Sequence, residues 1–556
     1  MKKVKKNWNL IVCVLIMCIL TIVMFFYINK KEGFHEDEIF SYTASNGKYA
    51  NILLSYAIRD NTDTILKSDS FLETMQNLTY YIGNFDQYQS EEAELILERT
   101  TSIWRTREEA IECLQINNVS EIMDFFTVYW HTARDVHPPL FYFLVHIVSC
   151  LFFNNFSKYI IFVINLVFFL GTCALLMKII KKLNRDNLSI PTLILYGFSI
   201  GAISTVMFQR MYMMLTFFTV YFLYTNLKIY YNNFELTKKL KIELCTITIL
   251  GFLTQYYFCI YAAFVAIVMI ALMFIQKLSK KDITCYIMQF IKSAIIGVIL
   301  FIPSIYHIFF SYRSINGTGS DYTFLEKFIS LSKSVFDSFS LSNIVGIVVI
   351  IILSILIIIE SKNKENRKLF SLLIIPTILG FIVVCKFSPY KSLRYVMNFL
   401  PIISVIVVVA IDNIFKNKKT SFIILTILAI GLSIFGLCTN NVKYLYKGYN
   451  EYLELANEYS EYRYVLICST EFSHILDLPE MTIYRETLIL DADSLDELKE
   501  NEKLQEDGEF ILSIKNWIGD TEEILQTVLE NTEFSSYELL LESNSSADCN
   551  VYLLKK

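Results

Sequence analysis

Two short polar segments hold the residues of this chain that are best suited to acid–base chemistry. In the first, FHEDEIFSY (34–42), the carboxylates of Asp37 and Glu38 stand beside His35 and between aromatic and apolar neighbours. Carboxylates in low-dielectric surroundings have raised pKa values, which would suit one of these acids to taking a proton from a substrate. The alternative, solvated loop carboxylates that mark a membrane interface, explains the acids but not the aromatic side chains that crowd them.

The second segment, ARDVHPPLFYFLVH (133–146), combines an acid and an imidazole with two prolines. Pro138 and Pro139 stiffen the approach to an apolar helix and tolerate the missing amide donors of its first turn. Asp135 and His137 are then held at the amino-terminal end of that helix. A loop with an N-capping aspartate is the alternative, and it explains the prolines but not the imidazole beside them.

Long apolar runs must position these segments. The 556 residues are 54% hydrophobic and 15% aromatic, with a mean hydropathy of +0.45, which is too apolar for a soluble protein with one core. The first run, residues 10–28, is long enough to span a bilayer and lacks a small-residue cleavage site, so it predicts a retained signal anchor. The chain is therefore predicted to be a mainly α-helical, polytopic membrane protein. Eleven spans are predicted, near residues 10–28, 159–180, 190–208, 211–227, 242–257, 258–276, 283–310, 344–360, 369–387, 395–415 and 422–438.

Clusters of Lys and Arg predict the orientation of these spans. Basic groups such as MKKVKK (1–6) and KNKK (416–419) alternate with connections that are poor in basic clusters, and all of them fall on the cytoplasmic side if the amino terminus is cytoplasmic. The apolar run 138–153 then forms a juxtamembrane or re-entrant helix, because it is short and begins with two prolines. This topology places several polar segments at the outer face, where a site between helix ends would be assembled. They are residues 35–38, 134–139, 209–212, 254–257, 311–340 and 388–395, and the acidic tail.

Charge divides the chain into a membrane part, residues 1–438, and an extracytoplasmic tail, residues 439–556. The tail has 25 Asp and Glu against 9 Lys and Arg, a net charge of −16, whereas the remainder is +11. Strand-like and helix-like runs alternate in the tail and predict a small soluble α/β domain, without a Gly-rich phosphate loop or assigned chemistry. The first outer loop, about residues 30–137, has amphipathic helical stretches and is expected to pack over the site.

Cysteine usage and charge patterning exclude other classes of site. Nine of the twelve cysteines lie in or beside apolar runs, without a CxxC motif or a His/Cys cluster, and are interpreted as small hydrophobic residues. Cys468 and Cys549 share the tail and would be able to pair if the tail is extracytoplasmic. The sequence has no basic patch with interleaved aromatic residues, so no nucleic-acid partner is predicted.

Four ordered motifs carry a resemblance to a known superfamily. They are DEIFSY (37–42), DVHPPLFY (135–142), QRMYMMLTF (209–217) and SLRYVMNFLP (392–401). In this order they resemble the glycosyltransferase-C superfamily, in the branch that contains protein O-mannosyltransferases, the aminoarabinose transferase of lipid A and bacterial family 39-type membrane enzymes. The resemblance covers about residues 1–438, and the His-Pro-Pro-Leu segment is its most specific single motif.

The resemblance implies a membrane glycosyltransferase. Members of the superfamily take a sugar from a polyprenyl monophosphate carrier at the outer membrane face and transfer it, usually with inversion, to a hydroxyl acceptor. By its match to the acidic motif, Asp37 is implied as the general base, with Glu38 orienting either Asp37 or the acceptor. Arg210, Lys391 and Arg394 are implied to neutralise the phosphate where the carbon–oxygen bond breaks, although ordinary interfacial anchoring is the alternative for these cations. The implied donor site also includes Asp135, His137, Tyr212 and Tyr395.

A departure from the superfamily pattern bears on metal binding. Relatives often have a Thr-His-Tyr-Tyr type sequence where this chain has TQYY (254–257), so Gln255 removes a titratable group and weakens any requirement for a metal. His35, Glu36 and Glu38 are left as possible ligands of a divalent cation, although adjacent residues rarely all face one ion. No metal ligand is assigned. The remaining membrane-part histidines, His131, His146 and His307, are interpreted as interfacial or packed.

The resemblance thus implies an inverting hexosyl- or mannosyl-type glycosyltransferase, and a bacterial plasma membrane is its expected location. Its partners would be a polyprenyl-phosphate-linked sugar and an extracytoplasmic hydroxyl acceptor on a cell-envelope glycan, lipid or protein. Two rival classes stay open. One is a transporter or flippase of lipid-linked glycans, which would favour ionisable residues at mid-membrane and helices broken by Gly or Pro. The other is a non-catalytic membrane scaffold whose acidic tail recruits partners.

Overall fold

Helices form most of the chain in a computed structural model, which describes residues 2–47, 102–134, 137–309, 322–341, 346, 351–355, 364–439, 441–468, 473–544 and 547–556. Contacts divide the chain into two compact units. The first comprises Met1–Asn29, Val136–Phe141 and Ile161–Lys443, and the second comprises Lys30–Asp135, Tyr142–Ile160 and Tyr444–Lys556. The first outer loop thus belongs to the same unit as the tail, while the division into 1–438 and 439–556 stays a prediction.

Helices of membrane-spanning length dominate the first unit, because its apolar runs are long and carry few charges. Among the described residues, seven helices are long and apolar enough to cross a membrane, and an eighth span results if one bent pair is counted. The multi-pass architecture is confirmed, whereas the count of eleven stays a prediction. The seven are Trp8–Asn29, Lys158–Lys182, Tyr257–Ile275, Lys280–Leu300, Lys368–Phe387, Met397–Ile414 and Lys418–Thr439.

The predicted span 190–208 is bent by 60° between Asp186–Gly197 and Ile200–Met207. Ser199 begins the second helix as its N-cap, with an extended backbone and a hydroxyl that accepts the amide N–H of Ala202 at 3.1 Å. A cap in mid-run explains why one apolar stretch makes two helices.

Shorter or more polar helices complete the first unit. The predicted spans 211–227 and 242–257 correspond to Tyr212–Tyr231 and Lys238–Thr254, and most of 344–360 lies outside the described residues. The remaining helices are Ser304–Phe309, Phe324–Ser338 and the 3-10 turns Leu393–Tyr395 and Met397–Phe399.

A six-stranded sheet is the centre of the second unit. The strands are β1 (Trp104–Thr106), β2 (Arg463–Cys468), β3 (Glu486–Asp491), β4 (Glu509–Lys515), β5 (Ser536–Leu541) and β6 (Cys549–Lys555). Their order is β1-β3-β2-β4-β6-β5, with β2, β3 and β4 parallel and the other pairings antiparallel. The strand-like runs of the tail form β2 to β6, and β1 is added from the first outer loop.

Helices of the second unit come both from the outer loop and from the tail. The predicted juxtamembrane run 138–153 forms Leu140–Leu151, whose twelve residues are too few to span a bilayer. In the tail, Thr521–Glu530 packs Leu525 and Val528 into the sheet's apolar core. The other helices are Glu36–Asn46, Arg107–Leu114, Phe125–Arg134, Tyr449–Glu458, Leu478–Met481 and Glu502–Glu506, with 3-10 segments Val119–Met123, Ser473–Asp477 and Ala492–Glu500.

The two tail cysteines do not pair. Cys468 ends β2 and Cys549 begins β6, and β4 lies between these strands. Two strand spacings come to roughly 9.5 Å, beyond the roughly 7 Å limit between the Cα atoms of a disulfide. Neither cysteine is accordingly part of a disulfide, and both are buried.

Candidate active site

The acidic residues Glu36, Asp37 and Glu38 form the first turn of the helix Glu36–Asn46, which we call the acidic helix. His35 is its N-cap, and the ring Nδ1 accepts the amide N–H of Asp37 at 3.0 Å. The Glu38 carboxylate accepts the amide N–H of His35 at 2.7 Å and closes a capping box. The polar run HEDE (35–38) is therefore the start of a helix. The His35 side chain accepts a backbone N–H of the first turn, and the Glu38 side chain accepts the backbone N–H of His35.

Glu38 is fully buried and forms an ion pair with Lys31, which is also fully buried. The Lys31 ammonium lies 2.9 Å from one carboxylate oxygen and 3.2 Å from the other, and it also donates to the carbonyl of Tyr444 at 2.6 Å. Burial lowers the pKa of Lys31, and the Glu38 carboxylate opposes that effect. Glu38 is buried, and its carboxylate binds both Lys31 and the backbone N–H of His35. It therefore fixes the start of the acidic helix.

Two histidines hold the other end of the acidic helix. The ring Nδ1 of His131 lies 3.3 Å from the carbonyl of Ala44, and that of His146 lies 2.8 Å from the carbonyl of Ser45. A carbonyl only accepts hydrogen bonds, so Nδ1 carries the proton in both rings. They satisfy carbonyls of the last turn, which the helix itself cannot pair. These buried imidazoles are packed, as the sequence analysis interpreted them.

Asp37 is the acid of this turn that is partly exposed, on a helix start that the capping box fixes. Its side chain is 27% exposed, and one carboxylate oxygen lies 3.3 Å from the His35 Nδ1. Since that Nδ1 accepts a backbone N–H, the neutral His35 ring carries its proton on Nε2. A rigid helix start thus presents Asp37 with access to small groups from solution, which is what a general base requires.

Arg210 lies in the break before the helix Tyr212–Tyr231 and is 3% exposed. Its backbone N–H donates to the carbonyl of Phe208 at 2.8 Å, and the ring of Tyr212 stacks on that of Phe208 at 5.5 Å. The side chain of Asn165 donates to the carbonyl of Phe208 at 2.9 Å and to that of Val206 at 3.1 Å. Asn165 therefore fixes the backbone turn that carries Arg210.

Arg394 and Tyr395 form a cluster of cation and aromatic groups on the 3-10 turn Leu393–Tyr395. The guanidinium donates to the Tyr395 hydroxyl at 3.1 Å, and its carbon lies 5.1 Å from the Tyr395 ring and 5.6 Å from the Tyr390 ring. The ring of Tyr257 packs against that of Tyr395 at 5.6 Å. A half-buried guanidinium held by aromatic faces is suited to binding a phosphate in two-point geometry.

Lys391 is held through a different aromatic contact, 3.8 Å above the ring of Tyr322. Near it, the buried Lys327 donates to the carbonyls of Lys386 and Ser388 at 3.1 and 2.9 Å. Those carbonyls belong to the end of the helix Lys364–Phe387 and to the residue after it, so Lys327 caps this helix and anchors the SPYKSLRY loop. The sequence analysis missed Lys327, because nothing in its local pattern distinguishes it from a solvated lysine of an amphipathic helix.

The remaining candidates fall in two places. His137 is partly exposed, and two buried prolines separate it from the start of the helix Leu140–Leu151. Asp135 lies outside the described residues. In TQYY, the Gln255 side chain accepts the amide N–H of Tyr256 at 2.7 Å, and the Tyr256 hydroxyl lies 3.0 Å from the His307 Nδ1. Gln255 therefore serves the break between two helices, and His307 is packed against a tyrosine.

The divalent-cation hypothesis for the acidic segment finds little support in this geometry. Glu38 faces Lys31, and within the described part of the chain no three His, Cys, Asp or Glu side chains form a metal-ligand group. Of the three suggested ligands, Glu38 thus already binds the ammonium group of Lys31.

A second cluster of titratable groups is buried in the tail. Lys515, at the end of β4, forms an ion pair of 2.6 Å with Asp477, and the Cys549 thiol donates to the same carboxylate at 3.5 Å. Burial lowers the pKa of Lys515, but the neighbouring Asp477 carboxylate outweighs this effect and raises it overall, while burial raises the pKa of Asp477. Burial, with the charge of Asp477 added to it, raises the pKa of Glu480 to about 8. One cation thus serves two carboxylates, and Glu480 keeps its proton near neutral pH.

Comparison with known proteins identifies a shared fold. No protein-family model matches the chain, and no sequence among the curated proteins matches it. Among solved structures, the crystal structure of ArnT from Cupriavidus metallidurans bound to undecaprenyl phosphate is similar, with a TM-score of 0.56 at 10% sequence identity. The likeness covers 97% of this chain and 97% of that chain. The chain therefore shares the ArnT fold over nearly its whole length, and it combines a polytopic membrane part with a small carboxy-terminal sheet domain.

Proposed function

We propose that this protein is an integral membrane glycosyltransferase that moves a sugar from a polyprenyl-phosphate carrier to a hydroxyl acceptor. The observation that carries the proposal is the fold shared, over nearly the whole chain, with a protein solved with undecaprenyl phosphate bound. We infer a bacterial plasma membrane as its location, because the sequence is rich in Ile, Lys and Asn. We infer the outer face as the side of transfer, because the basic clusters orient the spans in that way.

Asp37 is the proposed general base. The acceptor oxygen attacks the anomeric carbon and its proton passes to the Asp37 carboxylate, while the bond from the anomeric carbon to the phosphate oxygen breaks and its electron pair stays on polyprenyl phosphate. A single displacement of this kind inverts the anomeric configuration. The partial exposure of Asp37 and the two-ended fixation of the acidic helix support this role.

Arg210 and Arg394 are proposed to neutralise the phosphate as negative charge develops on the leaving oxygen. Both guanidinium groups are held by their surroundings, Arg210 through burial and Arg394 through two tyrosine rings. Lys391 would add charge near the donor. The proposed donor site further includes Asp135, His137, Tyr212 and Tyr395.

Glu38 has an indirect role in this proposal. A fully buried carboxylate that is bound to an ammonium group and to a backbone N–H has no surface for an acceptor. Of the two roles considered for it from the sequence, orientation of Asp37 is therefore favoured over orientation of the acceptor.

The direct test measures release of polyprenyl phosphate by purified protein in lipid nanodiscs. Wild type, Asp37→Asn and the matched control Glu36→Gln, which alters an exposed carboxylate of the same helical turn, are incubated with labelled polyprenyl-phosphate sugars and cell-envelope extract. We expect release by wild type and Glu36→Gln. Asp37→Asn should lose about 10²- to 10⁴-fold in rate while it keeps donor binding, because it removes the base and leaves the cations in place.

Two outcomes would count against the proposal. Equal release by wild type and Asp37→Asn would remove Asp37 from the chemistry. No release from any donor, together with an Asp37→Asn variant that still complements a deletion strain, would favour the transporter or scaffold alternatives.

A further inference from the structure

The segment between the first span and the acidic helix lies directly against the segment that leads into the tail domain. We call these the leading segment, residues 30–35, and the tail connector, residues 444–449. The backbone N–H of Glu32 donates to the carbonyl of Leu445 at 2.8 Å, and the Glu32 carboxylate accepts the N–H of Gly448 at 2.5 Å. Two hydrogen bonds between residues that are far apart in sequence thus join the segments.

Gly33 allows this close approach. A Cβ atom at this position would lie 2.7 Å from the Tyr449 ring and 3.0 Å from the Cβ of Tyr446, closer than real contacts permit. The connector in turn needs a glycine at Gly448, whose φ of +92° lies in the left-handed region. Gly33 is therefore required by the close packing of the connector's tyrosines, and Gly448 by its own backbone conformation.

Lys31 links this contact to the acidic helix. Its ammonium group donates to the carbonyl of Tyr444 in the connector and to both oxygens of Glu38, and it lies 5.0 Å from the ring of Tyr446. The ammonium of Lys158 donates to the Lys31 carbonyl, which fixes the backbone as well. The ion pair is fully buried, so solvent does not screen it.

We propose that Lys31 and the tail connector form a clamp that positions Asp37 for catalysis. Lys31 holds Glu38, Glu38 closes the capping box, and the box sets the backbone of the turn from which the Asp37 carboxylate projects. Lys31 is thus a positioning residue that acts through Glu38, and the tail domain is part of the catalytic machinery through its connector. This inference rests on the proposed function, because it needs Asp37 to be the base.

The clamp predicts a selective kinetic effect. A general base contributes only when its carboxylate is correctly placed, so loosening the turn lowers kcat, whereas donor affinity depends on cations elsewhere. We expect Lys31→Met to lower kcat at least tenfold with the donor KM changed less than twofold. Lys31→Arg, which keeps a cation that reaches Glu38, should recover a substantial part of the loss.

The experiment compares wild type with Lys31→Met, Lys31→Arg, Gly33→Ala and the double variant Lys31→Met with Glu38→Gln. The double variant removes the ion pair without leaving a buried charge, and a glutamine at this place still closes a capping box, so it protects the test against simple misfolding. Lys30→Met is the control, because it removes an exposed neighbouring ammonium. Each protein is assayed for kcat and donor KM and for hydrogen exchange in the peptide that covers residues 34–47.

Lower kcat and faster exchange in Lys31→Met, Gly33→Ala and the double variant, with Lys30→Met unchanged, would support the clamp. Slower turnover with unaltered exchange in the acidic helix, or equal losses in kcat and affinity, would overturn it. If wild type releases polyprenyl phosphate from no donor, the proposed function and the catalytic role of Lys31 fall together. In that case the exchange data still decide separately whether the clamp holds the helix.

Discussion

The buried carboxyl of Glu480 should make the stability of the tail domain fall as the pH rises. Its side chain is 3% exposed, and burial raises its pKa from the ordinary 4.5 to about 8. Between these two values the folded tail binds a proton that the unfolded tail has released. The contribution of Glu480 to the free energy of unfolding is therefore highest below about pH 4.5 and declines until the pH passes about 8.

The size of the effect follows from the width of this window. Each pH unit inside it removes up to about 1.4 kcal/mol, so the change from pH 5.5 to pH 7.5 should lower the free energy of unfolding of the tail by about 2–3 kcal/mol. Glu480→Gln keeps a neutral side chain of similar shape at every pH. We expect it to abolish most of this slope and to stabilise the tail at pH 7.5 while changing little at pH 5.5.

The assay is urea-dependent hydrogen exchange of peptides from β2 and β4 in the full-length protein, at both pH values and corrected for intrinsic exchange rates. Glu523→Gln, which changes an exposed carboxylate on the helix Thr521–Glu530, is the matched control and should keep the wild-type slope. A wild-type slope that Glu480→Gln leaves intact would refute the assignment of the proton to Glu480.

Three further predictions concern the first unit. Arg394→Ala should raise the donor KM roughly ten- to hundredfold, the equivalent of one charge-assisted hydrogen bond, and Arg394→Lys should recover part of this in steady-state kinetics. Asn165→Ala should weaken donor binding several-fold in a titration with labelled donor, because two carbonyls of the turn that carries Arg210, those of Val206 and Phe208, lose the amide that donates to them. Unchanged affinity would separate that turn from the donor site. Asp412→Asn should lower thermal stability strongly, equivalent to about 3–5 kcal/mol, because the buried carboxylate binds Arg185, and a thermal shift below a few degrees would contradict this.

Elements with a strong periodic or compositional signal were predictable from sequence. In the tail, strand-like apolar runs alternate with helices whose apolar residues face one side. The strands β2, β3 and β4 lie at three of these strand-like runs. The first span places Asp37 just past its end for the same reason, since an apolar run that long fixes where polar residues resume. The short helix Leu140–Leu151 also followed from its length and its two prolines.

Long-range partners were beyond the reach of sequence patterns. Lys31 has the position and composition of an interfacial anchor, and only the fold brings it to Glu38 and to the carbonyl of Tyr444. The three-residue strand β1 is too short for a period of two to be visible, and its pairing with β3 is set by tertiary contacts. His131 and His146 gave no local sign that they cap a helix, because their acceptors lie about a hundred residues earlier.

The junction of leading segment and tail connector has a consequence for biosynthesis. Lys31 emerges from the ribosome with the first span, but its carbonyl partner Tyr444 follows only after the membrane helices have been made. The strand β1 likewise waits for β3, its sheet neighbour. The acidic helix is therefore synthesised early but completes its contacts only after the tail has been made. If Asp37 is the base that we propose, a chain truncated before the tail would insert its spans yet carry that base without its support.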